Sequence, residues 1–395
     1  MVDAQIMGDA HDGSLQAIEP PSGRYEYTLA TDDASLAALR NDWQRLYSNA
    51  ARPRLSQCFE WAKCAWECFG RQRGAKLHCL VARSNGEAVL IWPLIIRREY
   101  YVWSIARQLG MTSDYSGPLV HHDFANSDLI ADAWAHLSRS APCDVIWLLR
   151  VREDSPMHKT PLAGVVVIPG EPAPYVSFDE FKSWDDFCHS LSKNLREQLF
   201  RKRRRLEEMG TLRFEVMSVD DDHDSLLAWL FTRKQEWLAD TGKPSPEMHA
   251  LEIRDFCRVI VKTRTMPGRV LLQVLWLDDR PIAAGLISVD EHFLEDRISA
   301  FDLEYGKYSP GMIFLLYRLE WAFRHGLPFD FRPGTESYKK SWANRTCETY
   351  RYEFFKTGWG RMHLLLYRRV RGGRIGQLIR KAGVARERMR QGRSA

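Results

Sequence analysis

One segment, residues 298–342, constrains the fold of this chain more than any other part of the sequence. A run of β-compatible residues ends at Phe301, and the Ser-Pro-Gly sequence at 309–311 then breaks the chain direction. From Met312 to His325 apolar residues recur at steps of three and four, which is the spacing of an amphipathic helix. Ser309 is placed to cap this helix and Gly326 to end it. The segment therefore predicts a strand, a turn, a helix and a second strand.

The turn before this helix is the first candidate ligand site. The start of a helix presents unpaired backbone N–H groups and the positive end of the helix dipole. Such a corner suits a phosphate or pyrophosphate, and so a nucleotide-like cofactor. An ordinary βαβ crossover with a capped helix has the same pattern, so both interpretations stay open at this point.

Length and composition predict more than one folded unit. The chain has 395 residues, and its 45% hydrophobic and 12% aromatic content is ample for packed cores. Mixed strands with intervening helices occur twice, on either side of a stretch rich in Pro and Gly at 156–174. We predict an α/β protein with mixed twisted sheets flanked by helices. Its predicted parts are a disordered leader (1–24), an N-terminal domain (25–160), a C-terminal domain (175–370) and a basic tail (371–395).

Several elements of these domains can be predicted individually. In the first domain we expect a helix over Cys58–Phe69 and a hairpin that turns at Ser84, Asn85 and Gly86. In the second we expect one long helix over 183–209. Two last strands, Tyr350–Lys356 and Met362–Tyr367, are expected to complete the second sheet.

Some classes of protein and site are disfavoured. The eight cysteines show no metal-binding spacing, since Cys64 and Cys68 have no second Cys or His pair, and we expect no metal. Scattered free thiols suit a reducing compartment. The N-terminus lacks the apolar core of a signal peptide, and no run of about twenty apolar residues occurs. We therefore predict a cytoplasmic protein.

Charge is concentrated at the end of the chain. Residues 371–395 carry eight Arg or Lys and one acid, a net charge of +7, whereas the whole chain carries +5, which leaves −2 for residues 1–370. A solvated tail is one interpretation. The other is attraction to an anionic partner, above all peripheral contact with the inner membrane.

The order of residues around the turn and helix resembles that of a known family. The quoted positions are Phe301, Asp302, Tyr308, Ser309, Pro310, Gly311, His325, Gly326, Asp330, Phe331, Gly334, Tyr338, Lys339 and Trp342. This order resembles the CelD-type acetyltransferases of the GNAT superfamily, which are associated with cellulose or exopolysaccharide production. They are related to the FemABX peptidyltransferases, which carry two GNAT-like domains in one chain. The chain departs from the usual GNAT phosphate loop, because Gly306-Lys307-Tyr308-Ser309-Pro310-Gly311 stands in its place.

The resemblance implies two GNAT-like domains and an acyl-CoA, such as acetyl-CoA, as co-substrate. Asp302 matches an acid of the family and is a candidate general base. Asp330 is a further catalytic candidate, because it ends a short strand beside a glycine loop, where α/β sheets tend to place ligands. Tyr338 and Lys339 match the family's Tyr-Lys pair, in which a phenol can donate a proton to a departing thiolate. We expect these four catalytic candidates to face one shared cleft.

Binding candidates lie at three places. The corner residues Tyr308, Ser309, Gly311 and Met312 are expected to hold the cofactor's pyrophosphate. Arg196 and Arg203 lie 40–60° from the leucine stripe of a basic helix and are expected to face a cleft, although a solvated face is the competing interpretation. Asp114 and Tyr115, in a Gly-flanked loop, are candidates for contact with the acceptor substrate.

The function predicted from these residues is acyl-CoA-dependent N- or O-acyl transfer to a sugar or an envelope or exopolysaccharide precursor. The acceptor class, a small or lipid-linked molecule, is implied by the resemblance alone. Two alternatives stay open: a FemABX-like transferase that uses aminoacyl-tRNA, and a non-catalytic GNAT-like subunit of a polysaccharide synthesis system. Apart from that tRNA, we expect no nucleic-acid partner, because neither stacking aromatics nor a known binding motif accompanies the basic helix.

Overall fold

The computed structural model describes residues 24–99, 103–111, 114–242 and 251–362. The predicted basic tail lies outside this part of the chain. So do all but the last residue of the predicted leader and all but the first residue of the strand predicted at Met362–Tyr367.

The first unit is built on a mixed sheet with the strand order β1-β2-β3-β4-β6-β15-β7, in which β5 also pairs with β3. Its strands are β1 (Glu26–Ala30), β2 (Lys76–Ser84), β3 (Glu87–Glu99), β4 (Trp103–Gln108), β5 (Leu119–Val120), β6 (Val145–Arg152), β7 (Val166–Pro169) and β15 (Thr349–Phe355). Its helices are α1 (Asp33–Ala38), α2 (Arg40–Ser48), α3 (Phe59–Ala65), α4 (Leu129–Ser140) and α5 (Pro156–Lys159).

The second unit repeats this plan with the strand order β14-β8-β13-β12-β11-β10-β9. Its strands are β8 (Ala173–Val176), β9 (Leu212–Val216), β10 (Arg269–Leu277), β11 (Arg280–Val289), β12 (Leu294–Phe301), β13 (Phe329–Asp330) and β14 (Arg345–Cys347). Its helices are α6 (Trp184–Ser190), α7 (Lys193–Glu207), α8 (His223–Asp240), α9 (Leu251–Lys262), α10 (Pro310–Arg324) and α11 (Ser337–Trp342). The predicted α/β class with two mixed sheets flanked by helices is confirmed.

Each sheet contains one short parallel pair joined by a helical crossover. In the first sheet β4 pairs with β6 at Ile105↔Val145 and Ala106↔Ile146. In the second, β12 pairs with β13 at Leu294↔Phe329 and Glu295↔Asp330. Beyond these two residue pairs the strands part, so each sheet opens where its parallel strands diverge. The predicted strand, turn, helix and strand of residues 298–342 form the crossover β12-α10-β13.

The chain exchanges strands between the sheets, which the sequence did not reveal. It passes from the first sheet to the second between β7 and β8, and it returns between β14 and β15. The expectation that Tyr350–Lys356 completes the second sheet is therefore wrong, because β15 pairs with β6 and β7. The two crossings touch, since Gly170 donates its N–H to the Thr349 carbonyl at 2.7 Å. A Cβ at Gly170 would come within 2.8 Å of the Thr349 hydroxyl, so this approach requires glycine.

Local signals explain where several elements begin and end. The expected hairpin turn is present, with positive φ at Asn85 (51°) and Gly86 (82°). The long helix expected over 183–209 is two helices, because the backbone is extended at Leu191 after α6, and Ser192 then caps α7 by accepting from the N–H of Leu195. The helix expected over Cys58–Phe69 is α3 followed by a π-helical turn at Trp66–Gly70.

The two units share one continuous core. A single apolar cluster contains Trp43, Phe59 and Trp61 of the first unit together with Phe256 and Leu272 of the second. Because this core is common to both, the residues between the sheets are held in a fixed arrangement. Within the described ranges, every helix is too short or too polar to cross a membrane.

Candidate functional site

A cluster of charged side chains is buried between the two sheets. Arg152 ends β6, Asp330 ends β13, and Glu295 lies in β12 directly opposite Asp330. Seven charged side chains form this cluster, and each is only 2–8% exposed. They are those of Arg54, Asp114, Arg152, Glu295, Arg297, Asp330 and Arg332. The carboxyl ends of strands are where α/β sheets place ligands, so this junction is the leading candidate site.

Asp330 is the centre of this cluster. Its carboxylate accepts hydrogen bonds from the Tyr115 hydroxyl at 2.9 and 3.0 Å and from Arg152 Nη1 at 3.1 Å. It also accepts from Arg54 Nη1 at 3.3 Å and from the backbone N–H of Arg332 at 2.7 Å. With both oxygens engaged, Asp330 positions its neighbours.

Glu295 and Tyr115 are held in defined protonation states. Burial alone would raise the pKa of Glu295, but Arg297, Arg54 and Arg332 outweigh it and lower the pKa to about 2. Burial, with the charge of Asp330, raises the pKa of Tyr115 well above its ordinary value. Glu295 is therefore an anion and Tyr115 a hydrogen-bond donor across the physiological range of pH.

A cleft of about 470 Å³ opens above this cluster. Arg54, Tyr115 and Arg152 line it, together with Arg52 and Lys159. Its volume falls in the range of small-molecule sites. The excess of cationic side chains in these walls favours a ligand that carries a phosphate or carboxylate.

Asp154 is the acid at the edge of this cleft, and its side chain is 56% exposed. Its two oxygens accept from Arg152 Nε and Nη2 at 2.8 and 2.9 Å. Burial would raise the pKa of Asp154, but the hydrogen bonds and charge of Arg152 outweigh it, so the pKa is lowered. Asp154 thus fixes the plane of the Arg152 guanidinium while leaving the cleft cationic.

The second sheet carries a different set of groups on its opposite face. Arg318, which is 1% exposed, reaches from α10 to Asp296 at 2.9 Å and to the Ser299 hydroxyl at 2.9 Å. The pairing of β11 with β12 contains a bulge beside Asp296. Ile287 pairs with Asp296 and Leu286 with Ile298, so Arg297 is an extra residue in β12. Such bulges redirect backbone groups and are common beside active sites.

Tyr338 lies on α11, near Asp296. Its ring packs edge-on against Phe331 at 6.4 Å. Desolvation of the phenol, together with the charge of Asp296, raises the pKa of Tyr338. A phenol that stays protonated can donate a proton to a leaving group.

Lys339 has mainly a structural environment. It is 6% exposed, and its Nζ donates to the carbonyls of Arg332 and Pro333 at 3.2 and 3.3 Å. It also pairs with Glu336 at 3.1 Å. These contacts tie the loop after β13 to α11, so Lys339 supports the position of Tyr338.

The corner before α10 differs from the expected phosphate loop. Residues Leu303–Tyr308 form a 3₁₀ helix that ends at Ser309, where φ is 51°. The expected Ser309 side-chain cap of α10 is wrong, since the hydroxyl has Lys202 Nζ at 2.6 Å instead. A Cβ at Gly311 would lie 3.0 Å from the Phe301 ring, so this glycine allows strand and helix to approach closely.

Lys202 is the cation that α7 brings to this corner, and the sequence prediction missed it. Arg196 donates to the His189 carbonyl at 2.9 Å, and Arg203 pairs with Glu207 at 2.7 Å. Lys202 follows the buried Leu199 by three residues and precedes the buried Leu206 by four. That spacing places it on the inner side of the helix and was the available signal.

The single cleft expected for the four catalytic candidates is not formed. Asp302 directly follows β12 and lies seven residues from Glu295, a separation of roughly 20 Å along an extended strand. It caps the 3₁₀ helix and faces Arg233 at 3.5 Å. Asp330 points towards the first unit, whereas Tyr338 packs against Phe331, the next residue along the chain and so on the other face. The catalytic roles of all four residues stay predictions.

Other candidates do come together. Asp114, Tyr115 and Asp330 belong to one cluster, in which Asp114 accepts from Trp61 Nε1 at 2.9 Å and from the N–H of Met111 at 2.8 Å. Asp114 therefore holds Trp61 and Met111 in place, and Tyr115 contributes to the lining of the cleft. The sequence prediction missed the partners contributed by Arg54, Arg152, Glu295, Arg297 and Arg332. A charged residue directly after an apolar strand, as at Arg152, was the one signal for them.

One group at the rim of this cleft has the composition of a metal site. In the part of the chain that the structure describes, His121, His122 and Asp123 are the three residues whose ligand atoms lie within 4.8 Å of one another. His122 Nδ1 lies 2.6 Å from the Asn49 carbonyl. The group is largely solvent-exposed, and the prediction that the protein uses no metal stays a prediction.

Comparison with known proteins agrees with this architecture. Residues 193–340, which run from α7 into α11, match the family model described as "Acetyltransferase (GNAT) domain". These residues are similar to a GNAT acetyltransferase domain. The predicted enzyme class, an acyltransferase, is confirmed at this level. The match does not reach the finer CelD-type assignment, and no curated protein matches the chain.

Solved structures resemble most of the chain, across both sheets. The crystal structure of FemX has a TM-score of 0.59 at 10% identity, and the similarity covers 86% of this chain and 99% of that one. L-PGS from Bacillus licheniformis has a TM-score of 0.54 at 13% identity, with 85% and 96% covered. A conserved protein of unknown function from Bacteroides thetaiotaomicron has a TM-score of 0.52 at 10% identity, with 83% and 100% covered. At these identities the likeness concerns the fold.

Proposed function

We propose that this protein transfers an acyl group from an acyl-CoA to an amine or hydroxyl of an anionic acceptor. The observation that supports this most strongly is the junction of Arg152 and Asp330 under the 470 Å³ cleft, beside the opening of the GNAT domain's sheet. The cleft offers the cations Arg54 and Arg152 for an acceptor. The opening of the second sheet offers the protonated phenol of Tyr338 for a leaving thiolate. Together they supply the two halves of an acyl-transfer site.

The donor occupies the opening between β12 and β13 in this proposal. Lys202, which α7 brings beside the start of α10, neutralises a phosphate of the coenzyme. The bulge at Arg297 turns backbone N–H groups away from the ladder, where they can stabilise the oxygen of a tetrahedral intermediate. When bound, the coenzyme supplies the activated thioester.

The acceptor occupies the cleft between the domains. Arg54 and Arg152 hold its phosphate or carboxylate, and Tyr115 fixes the distance between that group and the reacting atom. The resemblance to CelD-type proteins makes a sugar or a lipid-linked envelope precursor the proposed acceptor class. Such precursors commonly carry the negative charge that these arginines would bind.

The reaction then proceeds by direct attack. The acceptor's nitrogen or oxygen bonds to the carbonyl carbon, and its proton passes to water in the cleft. The carbon–sulfur bond breaks as the tetrahedral intermediate collapses, and Tyr338 gives its proton to the thiolate. Tyr338 recovers a proton from solvent, so the enzyme ends unchanged.

A second candidate function is FemABX-like transfer from an aminoacyl-tRNA. The 3₁₀ helix in place of a phosphate loop favours it, because its N–H groups bond internally, as from Tyr305 to Asp302 and from Ser309 to Gly306. Helix α7 also presents Phe200, 60% exposed, beside the exposed Arg201 and Arg204, which corrects the expectation that no stacking aromatic accompanies this basic helix. A stacking aromatic with flanking cations suits a single-stranded RNA end.

Equilibrium binding separates the two candidates. Acetyl-CoA, a longer acyl-CoA and an aminoacyl-tRNA are titrated into the full chain by calorimetry at one salt concentration. We expect an acyl-CoA to bind and its affinity to fall when Lys202 is changed to Met. Binding of the charged tRNA alone would replace the proposal by the second candidate.

A further inference from the structure

A second cavity, of about 90 Å³, lies on the first sheet and is not used by the proposed reaction. Its floor is Ile95 of β3, Ile105 of β4 and Trp147 of β6, which are 9%, 0% and 6% exposed. Phe69 and Ile253 close it from above. Since β4 and β6 are the diverging parallel strands, the cavity lies where the first sheet opens.

The two sheets have the same plan, so the position of this cavity can be compared with that of the candidate site. Helix α4 packs on the face of the first sheet that carries Ala106 and Ile146, and the cavity lies on the opposite face. In the second sheet α10 packs on the face that carries Leu294 and Phe329, and the buried charged cluster lies opposite. The cavity is therefore the first sheet's counterpart of the candidate site in the second.

The cavity is preformed. The loop beside it passes through Gly110, where φ is 153° and a Cβ would lie 2.8 Å from the Asp114 carboxylate. Asp114 is fixed in turn by Trp61 and by the N–H of Met111. Gly110, Met111 and Asp114 are therefore already held where they line the cavity, which lowers the cost of binding.

Three guanidiniums surround the mouth of the cavity, those of Arg73, Arg97 and Arg107. Arg107 lies over the Trp147 ring at 4.4 Å and binds both oxygens of Glu99 at 2.7 and 2.9 Å. Arg97 reaches the same Glu99 only at 3.5 Å. Glu99 is thus shared unequally, and Arg97 is the less well satisfied cation.

The electrostatics of Arg97 agree with this geometry. Burial lowers the pKa of Arg97, and repulsion from Arg73 and Arg107 adds to the effect against the attraction of Glu99. An anion at the mouth would relieve that repulsion. The apolar floor would at the same time accept a short hydrocarbon group.

We propose that this cavity is a second ligand site, which binds a short apolar chain that ends in a carboxylate or phosphate. The chain lies on Ile105 and Trp147, and the anionic group lies against Arg97. Arg97 and the apolar floor take no part in the proposed acyl transfer, although Asp114, which belongs to the buried charged cluster, also lines this cavity.

Hexanoate, hexyl phosphate and 1-hexanol test this proposal by calorimetry on the full chain. We expect both anions to bind at least tenfold more tightly than the alcohol. Arg97→Gln should bring the anions to the level of the alcohol. Arg98→Gln is the matched control, because Arg98 is exposed and points to the other face of the same strand, and it should leave binding unchanged.

Leu149→Trp tests the apolar part, since Leu149 lines the cavity and the larger ring would fill it. All three probes should then lose binding in a variant whose circular dichroism matches the parent. Failure of both anions to bind the parent would overturn the proposal, as would equal binding by the Arg97 and Arg98 variants. If Leu149→Trp does not fold, the Arg97 and Arg98 pair decides. Acetyl-CoA binding should be unaffected by Arg97→Gln, so loss of either site is seen separately.

Discussion

Arg152 Nη1 lies 3.1 Å from Asp330 Oδ2, and these two residues end the corresponding parallel strands of the two sheets. Each sheet therefore places the end of the same strand at the same junction. The pair is 178 residues apart in sequence and lies beneath the cleft between the domains. Because the pair is buried, the cleft depends on both sheets at once.

Asp330→Asn should destabilise the protein by about 3–5 kcal/mol, because it leaves the buried Arg54 and Arg152 without this carboxylate. Asp154→Asn is the matched control, since Asp154 also pairs with Arg152 but is 56% exposed. We expect that control to cost no more than about 1 kcal/mol. Urea unfolding at pH 7 measures both, and equal costs would contradict the central role of Asp330.

Stability should fall in acid through Glu295. Its pKa is about 2 in the folded protein, against about 4.3 for an ordinary glutamate. Because the folded value is the lower one, the stabilisation is complete above about pH 5 and is lost as pH falls from there towards 2. Unfolding free energies measured from pH 6 to 3 should therefore drop less steeply for Glu295→Gln. An identical slope in both proteins would rule out this assignment.

Tyr338→Phe should lower kcat much more than it raises KM, because it removes a proton donor and keeps the ring against Phe331. A loss of about 10²-fold or more is the usual size for an acid catalyst. Tyr350→Phe, a change in the first sheet, is the control and should keep full turnover. Steady-state kinetics on any accepted donor and acceptor make the comparison, and a change confined to KM would remove Tyr338 from the proton transfer.

Much of the fold could be predicted from local patterns. The crossover β12-α10-β13 followed from the helical spacing after Pro310 and from Gly326, whose φ is 64°. The hairpin at Asn85 and Gly86 followed from turn chemistry in the same way. The placement of β15 in the first sheet could not be predicted. Packing between distant segments decides which strands pair, and the residues of a single strand do not identify the strand that it pairs with.

The site was harder to predict than the fold. Asp330 and Tyr115 were singled out as candidates, but their partnership depends on a contact between residues 215 positions apart. Arg54 gave no local signal, since it lies in an irregular segment before a short 3₁₀ turn. Asp302 matched a family pattern, yet the length of β12 carries it away from Asp330. Distances between residues far apart in sequence are set by tertiary structure, and no periodic pattern in the sequence indicates them.

The basic tail, which lies outside the described residues, is proposed to bring the enzyme to anionic membrane. Each basic residue near such a surface contributes roughly 1 kcal/mol. Truncation after Arg371 should leave the fold and donor binding intact and abolish salt-sensitive binding to vesicles that contain phosphatidylglycerol. Sedimentation with those vesicles at two salt concentrations provides the measurement. Loss of the folded state on truncation would instead make the tail structural.

The most direct measurement of the central claim is the affinity of an acyl-CoA for the parent and for two variants of α7. Lys202→Met removes the cation that lies 2.6 Å from the Ser309 hydroxyl at the start of α10, and it should weaken binding by about tenfold. Arg201→Met, an exposed neighbour on the same helix, should leave the affinity unchanged. Gly311→Asp, which adds a negative charge at that corner, should weaken binding further. Full acyl-CoA affinity in Lys202→Met and Gly311→Asp would place the donor elsewhere, and the absence of acyl-CoA binding by the parent would contradict the account itself.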